Sequence, residues 1–131
     1  MTYEIDPGEG IDDIKLGMPR ALVRNKHRGR FVDGDYDSLV GDEGKLSVEF
    51  RDGRVARVYL ADIEPSEVAI SGFAIPDFGP ATIAAFVAEN FKVEVHMVED
   101  GIEIPTVGIE FWSMDIQTKQ YSSLHVVNPT M

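Results

Sequence analysis

The sequence predicts an α+β fold: an antiparallel sheet of about five to seven strands, one main helix at about residues 80–91 packed on a face, and a short helix at about 19–25. Two observations carry this. Several short runs alternate apolar with polar residues, the period of a half-buried strand, and Asp-Gly pairs and other turn formers separate them. One stretch, PATIAAFVAENF, repeats its apolar residues at spacings of three and four, the period of a helix. With 131 residues, 44% hydrophobic and 27% charged, the chain is long and apolar enough for one domain with a core of its own.

Taken in order, residues 1–13 are acidic and hold Pro7, Gly8 and Gly10, which reads as an extended arm or short edge strand and then a loop. Pro19 suits the first turn of the short helix; Leu22 and Val23 would face inward, Met18 would staple the entry, and Gly29 would stop it. Residues 31–44, FVDGDYDSLVGDEG, read as an acidic loop with a brief strand at 38–40. The clearest element is the hairpin KLSVEFRDGRVARVYL at 45–60. A two-residue loop at Asp52 and Gly53 would pair Phe50 with Val55 and send Arg57 to the core. A three-residue loop at 51–53 pairs Phe50 with Arg54, Val48 with Ala56 and Leu46 with Val58, which gathers the apolar side chains on one face. The second register is the one expected.

Further on, residues 68–75 form an apolar strand interrupted at Gly72. Pro80 opens the main helix and Ile83, Phe86, Val87 and Phe91 share one side of it. Residues 92–97 alternate as a strand, and Asp100-Gly101 turns into Ile102 and Ile104. In a long strand at 107–116, Val107, Ile109 and Phe111 point one way and Glu110 and Trp112 the other. Thr118 and Lys119 make a turn, and residues 121–127 are the last strand.

Charge is the most informative bulk property. The net charge is −11, and it is uneven. Between residues 14 and 32 there are six cations (Lys15, Arg20, Arg24, Lys26, Arg28, Arg30) and no carboxylate, which leaves six cations against 23 carboxylates elsewhere. Such a field favours a basic partner and repels nucleic acid. The basic stripe has almost no aromatic interleaving; pairing with the protein's own acidic loop, or with the acidic face of a second subunit, is an alternative use for it. The absence of cysteine excludes disulfides, thiolate chemistry and cysteine-ligated zinc. The start, MTYEIDPGEG, has no signal-peptide pattern and no apolar run approaches membrane-spanning length, so a cytoplasmic protein that binds no membrane is expected.

Residues 10–24, GIDDIKLGMPRALVR, resemble the I-x-L-G-M-[ST]-x-x-x-V element that opens many small bacterial α+β domains, among them immunity-type proteins and the β-lactamase-inhibitor-protein-like superfamily. Leu16, Gly17, Met18 and Val23 match, and Pro19 stands where that element has a hydroxyl-bearing cap. The likeness covers about fifteen residues of the 131. It implies a helix-plus-sheet protein that works by binding another protein, and it supplies no catalytic residue.

The candidate binding residues are Asp33, Asp35, Tyr36, Asp37, Asp42, Glu43 and Trp112, an acidic segment with aromatic anchors of the kind that partner surfaces use. Asp33 to Asp37 lack the glycine and terminal glutamate of a calcium loop, and His27, His96 and His125 have no metal-like spacing, so no metal and no cofactor are expected. No serine sits in an activated context, and no catalytic residue is assigned. The expected function is a small acidic cytosolic protein that neutralises or regulates a basic partner by occlusion, most concretely an immunity protein for a basic toxin, acting as a monomer or homodimer. The alternatives are an enzyme or small-ligand binder with His96 or His125 in a pocket between sheet and helix, and a homo-oligomeric structural subunit.

Overall fold

The computed structural model describes residues 2–27, 29–31, 36–39 and 45–129. In chain order the strands are β1 (Tyr3–Asp6), β2 (Gly10–Ile11), β3 (Ile14–Lys15), β4 (Gly29–Phe31), β5 (Tyr36–Leu39), β6 (Leu46–Arg51), β7 (Arg54–Leu60), β8 (Val68–Ile70), β9 (His96–Val98), β10 (Gly101–Ile104), β11 (Ile109–Met114) and β12 (Tyr121–Val127). The helices are α1 (Arg20–Lys26) and α2 (Pro80–Phe91). The class is α+β, but the single sheet of five to seven strands is corrected to two. A small sheet runs β3-β2-β1-β8, and a large one of eight strands runs β4-β5-β6-β7-β12-β11-β10-β9. Three strands of the small sheet, of two to four residues, lie within or just after residues 1–13, expected to be an arm or short edge strand and a loop, and are too short for any periodicity to show. The fourth, β8, is the start of the apolar strand expected at 68–75 and ends at Ile70. The β1–β8 pair is parallel, joining residues more than sixty apart.

Alternation fixes the faces. Val48, Val58, Leu60, Ile102, Ile104, Ile109, Phe111, Leu124 and Val126 point inward from the large sheet and are buried. They meet Ile5, Ile11, Ile14 and Ile70 of the small sheet, Val23 of α1, and Ile83 and Val87 of α2 in one hydrophobic cluster. Helix α2 forms over the expected residues, with Pro80 at its first turn and Lys92, in the left-handed conformation, at its end. That turn at Lys92 delays the next strand: β9 covers only His96–Val98, not 92–97. The entry to α2 is tied to β12, since the Tyr121 amide donates to the Phe78 carbonyl (3.0 Å) and the Phe78 ring packs 5.6 Å from Phe111. In α1, Val23 is buried, whereas Leu22, expected inside, is largely exposed.

The hairpin of β6 and β7 takes the register that the sequence argued against. Phe50 pairs with Val55 across a two-residue turn in which Asp52 and Gly53 both have positive φ (55° and 75°). The conflict over Arg57 is resolved by a bulge. Between the Phe50–Val55 and Glu49–Arg57 pairs, Ala56 is an extra residue on β7, so Val58 and Leu60 return to the core face and Arg57 stays outside. The hairpin tip is then free to bond elsewhere: the Val55 amide donates to the Met18 carbonyl and the Gly17 amide to the Val55 carbonyl, tying the tip to the entry of α1.

Candidate functional site

With one face of the large sheet committed to the core, the other is left to polar and aromatic side chains. Register lines up a row across it. Tyr59 stands opposite His125, His125 opposite Glu110, Glu110 opposite Glu103, and Glu103 opposite His96. Beside that row lie Glu49, paired with both Tyr36 and Arg57, and Trp112. Trp112 stands opposite Gly101, and a Cβ there would come within 2.6 Å of the indole. The glycine is what allows the ring to lie over β10.

Glu110 is the hub. It is 8% exposed, and its Oε1 accepts hydrogen bonds from Arg57 Nη1 and Trp112 Nε1, both at 2.9 Å. His125 Nδ1 lies 3.7 Å from that oxygen and 3.4 Å from Arg57 Nη1. Burial pushes the Glu110 carboxyl up, but the His125 ring nitrogen beside it, the Trp112 hydrogen bond and the charge of Arg57 outweigh it and hold the group below its ordinary value. The His125 ring sits between Tyr59, edge-on at 4.4 Å, and Trp112 at 6.2 Å. Tyr59 donates its hydroxyl to Glu49 (3.1 Å), and burial, reinforced by that carboxylate, raises the phenol to about 12. Tyr36 continues the aromatic run, 6.4 Å from Tyr59 and 45% exposed. A cleft of about 330 Å³ opens on this face, lined by Glu49, Arg51, Arg57, Glu103 and Glu110 with Pro105 and Val127.

The candidate residues therefore separate. Tyr36 and Trp112 lie on this one face, Tyr36 exposed and Trp112 half-buried. Asp37, the next residue along β5, points to the other side and is fully buried, so it is corrected from a partner-facing carboxylate to an internal one. Arg24 grips it with two hydrogen bonds, Nε to Oδ2 at 3.1 Å and Nη2 to Oδ1 at 3.0 Å, and Arg20 adds a third at 3.0 Å. Arg20 also lies 4.6 Å over the Phe50 ring. Two cations of the basic stripe are thus directed at the protein's own acidic segment. Asp33, Asp35, Asp42 and Glu43 lie outside the described residues.

The residues missed were Glu49, Arg57 and Tyr59. Each was visible as the polar member of an alternating strand, but only the order β6-β7-β12-β11 brings them to Glu110 and His125. His96 and His125 are not neighbours, since β11 and β10 lie between their strands. That cleft lies on the open face of the sheet; a larger one borders α2, lined by Phe73, Pro76, Ala81 and Phe86 among others. Among the described residues no cluster of three or more His, Cys, Asp or Glu is arranged to hold a metal ion, and no helix is long and apolar enough to cross a membrane.

Fold and face together describe a two-sheet α+β protein with an aromatic and charged surface on its larger sheet. No family model, curated protein or solved structure matches the sequence.

Proposed function

We propose that this is a binding protein that docks a basic protein partner on the outer face of its large sheet and neutralises or regulates it by occlusion, as an immunity protein does for a basic toxin. One observation carries the reading: Tyr36, Tyr59 and Trp112 share a sheet face with Glu49, Glu103 and Glu110, in a chain of net charge −11. Aromatic side chains of this kind anchor interfaces, and the negative field steers a cationic partner toward them. The acidic segment that holds Asp33 and Asp35 would add long-range attraction, with Tyr36 at its border.

The test is capture from an extract of the source cells on immobilised wild-type protein, beside a Tyr36→Ala/Trp112→Ala double variant. One stoichiometric basic protein, held at low salt by the wild type, released at high salt and lost on the double variant, is the expected result. Equal capture by both would overturn the assignment of the face.

The cleft favours one second reading, a small polar ligand held among Glu49, Arg51, Arg57 and Glu103. A ligand-dependent rise in melting temperature across a metabolite panel, in a protein that captures no partner, would favour it.

A further inference from the structure

His125 is the titratable group on this face whose two protonation states demand different neighbours. It is reached from β7 by Arg57 and Tyr59 and from β11 by Glu110 and Trp112; the adjacent outward positions on β12 are Ser123 and Val127. Its side chain keeps 16% exposure, so protons reach it. When the imidazole is neutral, Nδ1 can accept from Arg57 Nη1 at 3.4 Å, while the same Nη1 binds Glu110. When it is protonated, both ring nitrogens are donors and the acceptor is lost. The N–H on Nδ1 then faces Glu110 Oε1 at 3.7 Å, and the ring charge opposes the guanidinium beside it.

We propose that protonation of His125 is a switch on the docking face. It exchanges the Arg57–Glu110 contact for a His125–Glu110 contact and turns Arg57 toward its cross-strand neighbour Glu49. This rests on the reading of the face as the docking surface, and it regulates that surface. Protonation adds one positive charge at the centre of a surface that attracts cations, and Arg57 then competes for Glu49, where Tyr59 already donates. Attraction for a basic protein therefore weakens when the imidazole takes up its proton. The other histidines stand apart: His27 faces Asp13 at 2.9 Å, and His96 is exposed on edge strand β9.

Trp112 is the chain's only tryptophan, and it reads this site directly. Its indole N–H is on Glu110 and its ring is beside His125, so the free protein, without any partner, is the probe. The expected result is one transition in tryptophan emission, quenched on the acid side because imidazolium quenches indole better than imidazole does. His125→Gln should abolish it and His96→Gln should keep it. Nitrogen NMR of the wild-type imidazole supplies a readout that needs no variant: Nδ1 should change from an acceptor to an N–H at the same midpoint, with the Trp112 indole N–H shifting in step. A wild type with no transition, or a transition that survives His125→Gln, would overturn the switch. The docking face is tested separately by the Tyr36/Trp112 capture experiment, so the failure of either is distinguishable from the failure of the other.

Discussion

Asp37 is a carboxylate that folding removes from water entirely and returns to two guanidinium groups. Burial alone would raise it; the hydrogen bonds and charges of Arg24 and Arg20 more than offset that and hold it below its ordinary value. A depressed folded value stabilises the protein above the ordinary aspartate range of about 3.9, and this stability is lost as pH falls through the folded value. Asp37→Asn should therefore cost about 3 kcal/mol near neutral pH, the low end for removing one partner of a buried pair, because both arginines keep some water. Urea unfolding at pH 7 and pH 3 checks both parts, since the gap between wild type and variant should narrow in acid. Tyr59 runs the opposite way. Its phenol is raised to about 12, so the stability linked to it is present below the ordinary tyrosine value and is lost as pH climbs toward the folded one. Ultraviolet titration should show a late-ionising tyrosine that Tyr59→Phe removes. In the sequence Asp37 looked like a loop carboxylate, because a short strand with an inward aspartate breaks the binary pattern. The only clue was the run of cations without carboxylates at residues 14–32, which left open an internal partner.

At the scale of elements, legibility followed locality. The helix at 80–91 and the strand at 121–127 were readable to the residue, because each carries its own period or turn. The outward placement of Glu110 and Trp112 followed from alternation within β11 alone. The hairpin at 45–60 was readable as a hairpin but not in register, because simple alternation cannot show a residue that belongs to neither face. The bulge yields a specific expectation. Deleting Ala56 restores an unbroken two-residue hairpin, in which Glu49 still meets Arg57 and Val48 still meets Val58. That deletion should retain the fold, with cross-strand contacts between residues 48 and 58 intact by NMR. Deletion of Ser47, on the strand opposite, would turn Leu46 to the outer face and should abolish cooperative unfolding. If both deletions proved equally damaging, the bulge would not be what sets the faces.

For the whole molecule, the question is what holds two sheets in one cooperative unit, and here the sequence said least, since strand order is a matter of contacts between distant residues. Beyond the shared core, backbone junctions link them: the tip of β7 bonds Gly17 and Met18, just past β3, and a second junction forms at Gly108. The Gly108 carbonyl accepts the amide of Gly8, next to β1 in the small sheet, at 3.1 Å, and the amide of Val127, at the end of β12 in the large one, at 3.0 Å. Gly108 has a φ of +85°, and a Cβ on it would sit 2.5 Å from both the Gly8 Cα and the Val127 carbonyl oxygen. Both obstacles are backbone atoms, so no side chain can swing aside to make room. Gly108→Ala should therefore combine left-handed strain of roughly 1–2 kcal/mol with a steric shift of roughly 1–3 kcal/mol, a total that is large beside the marginal stability of a small domain. The same substitution at Gly53, which also has a positive φ but open space around it, incurs only the first of these. Thermal unfolding of the two variants side by side separates the contributions. Gly108→Ala should melt well below Gly53→Ala, and amides of β1 and β2 should lose hydrogen-exchange protection ahead of those in β7 and β12. Equal melting of the two variants would mean that the Gly8–Gly108 junction is incidental to the fold.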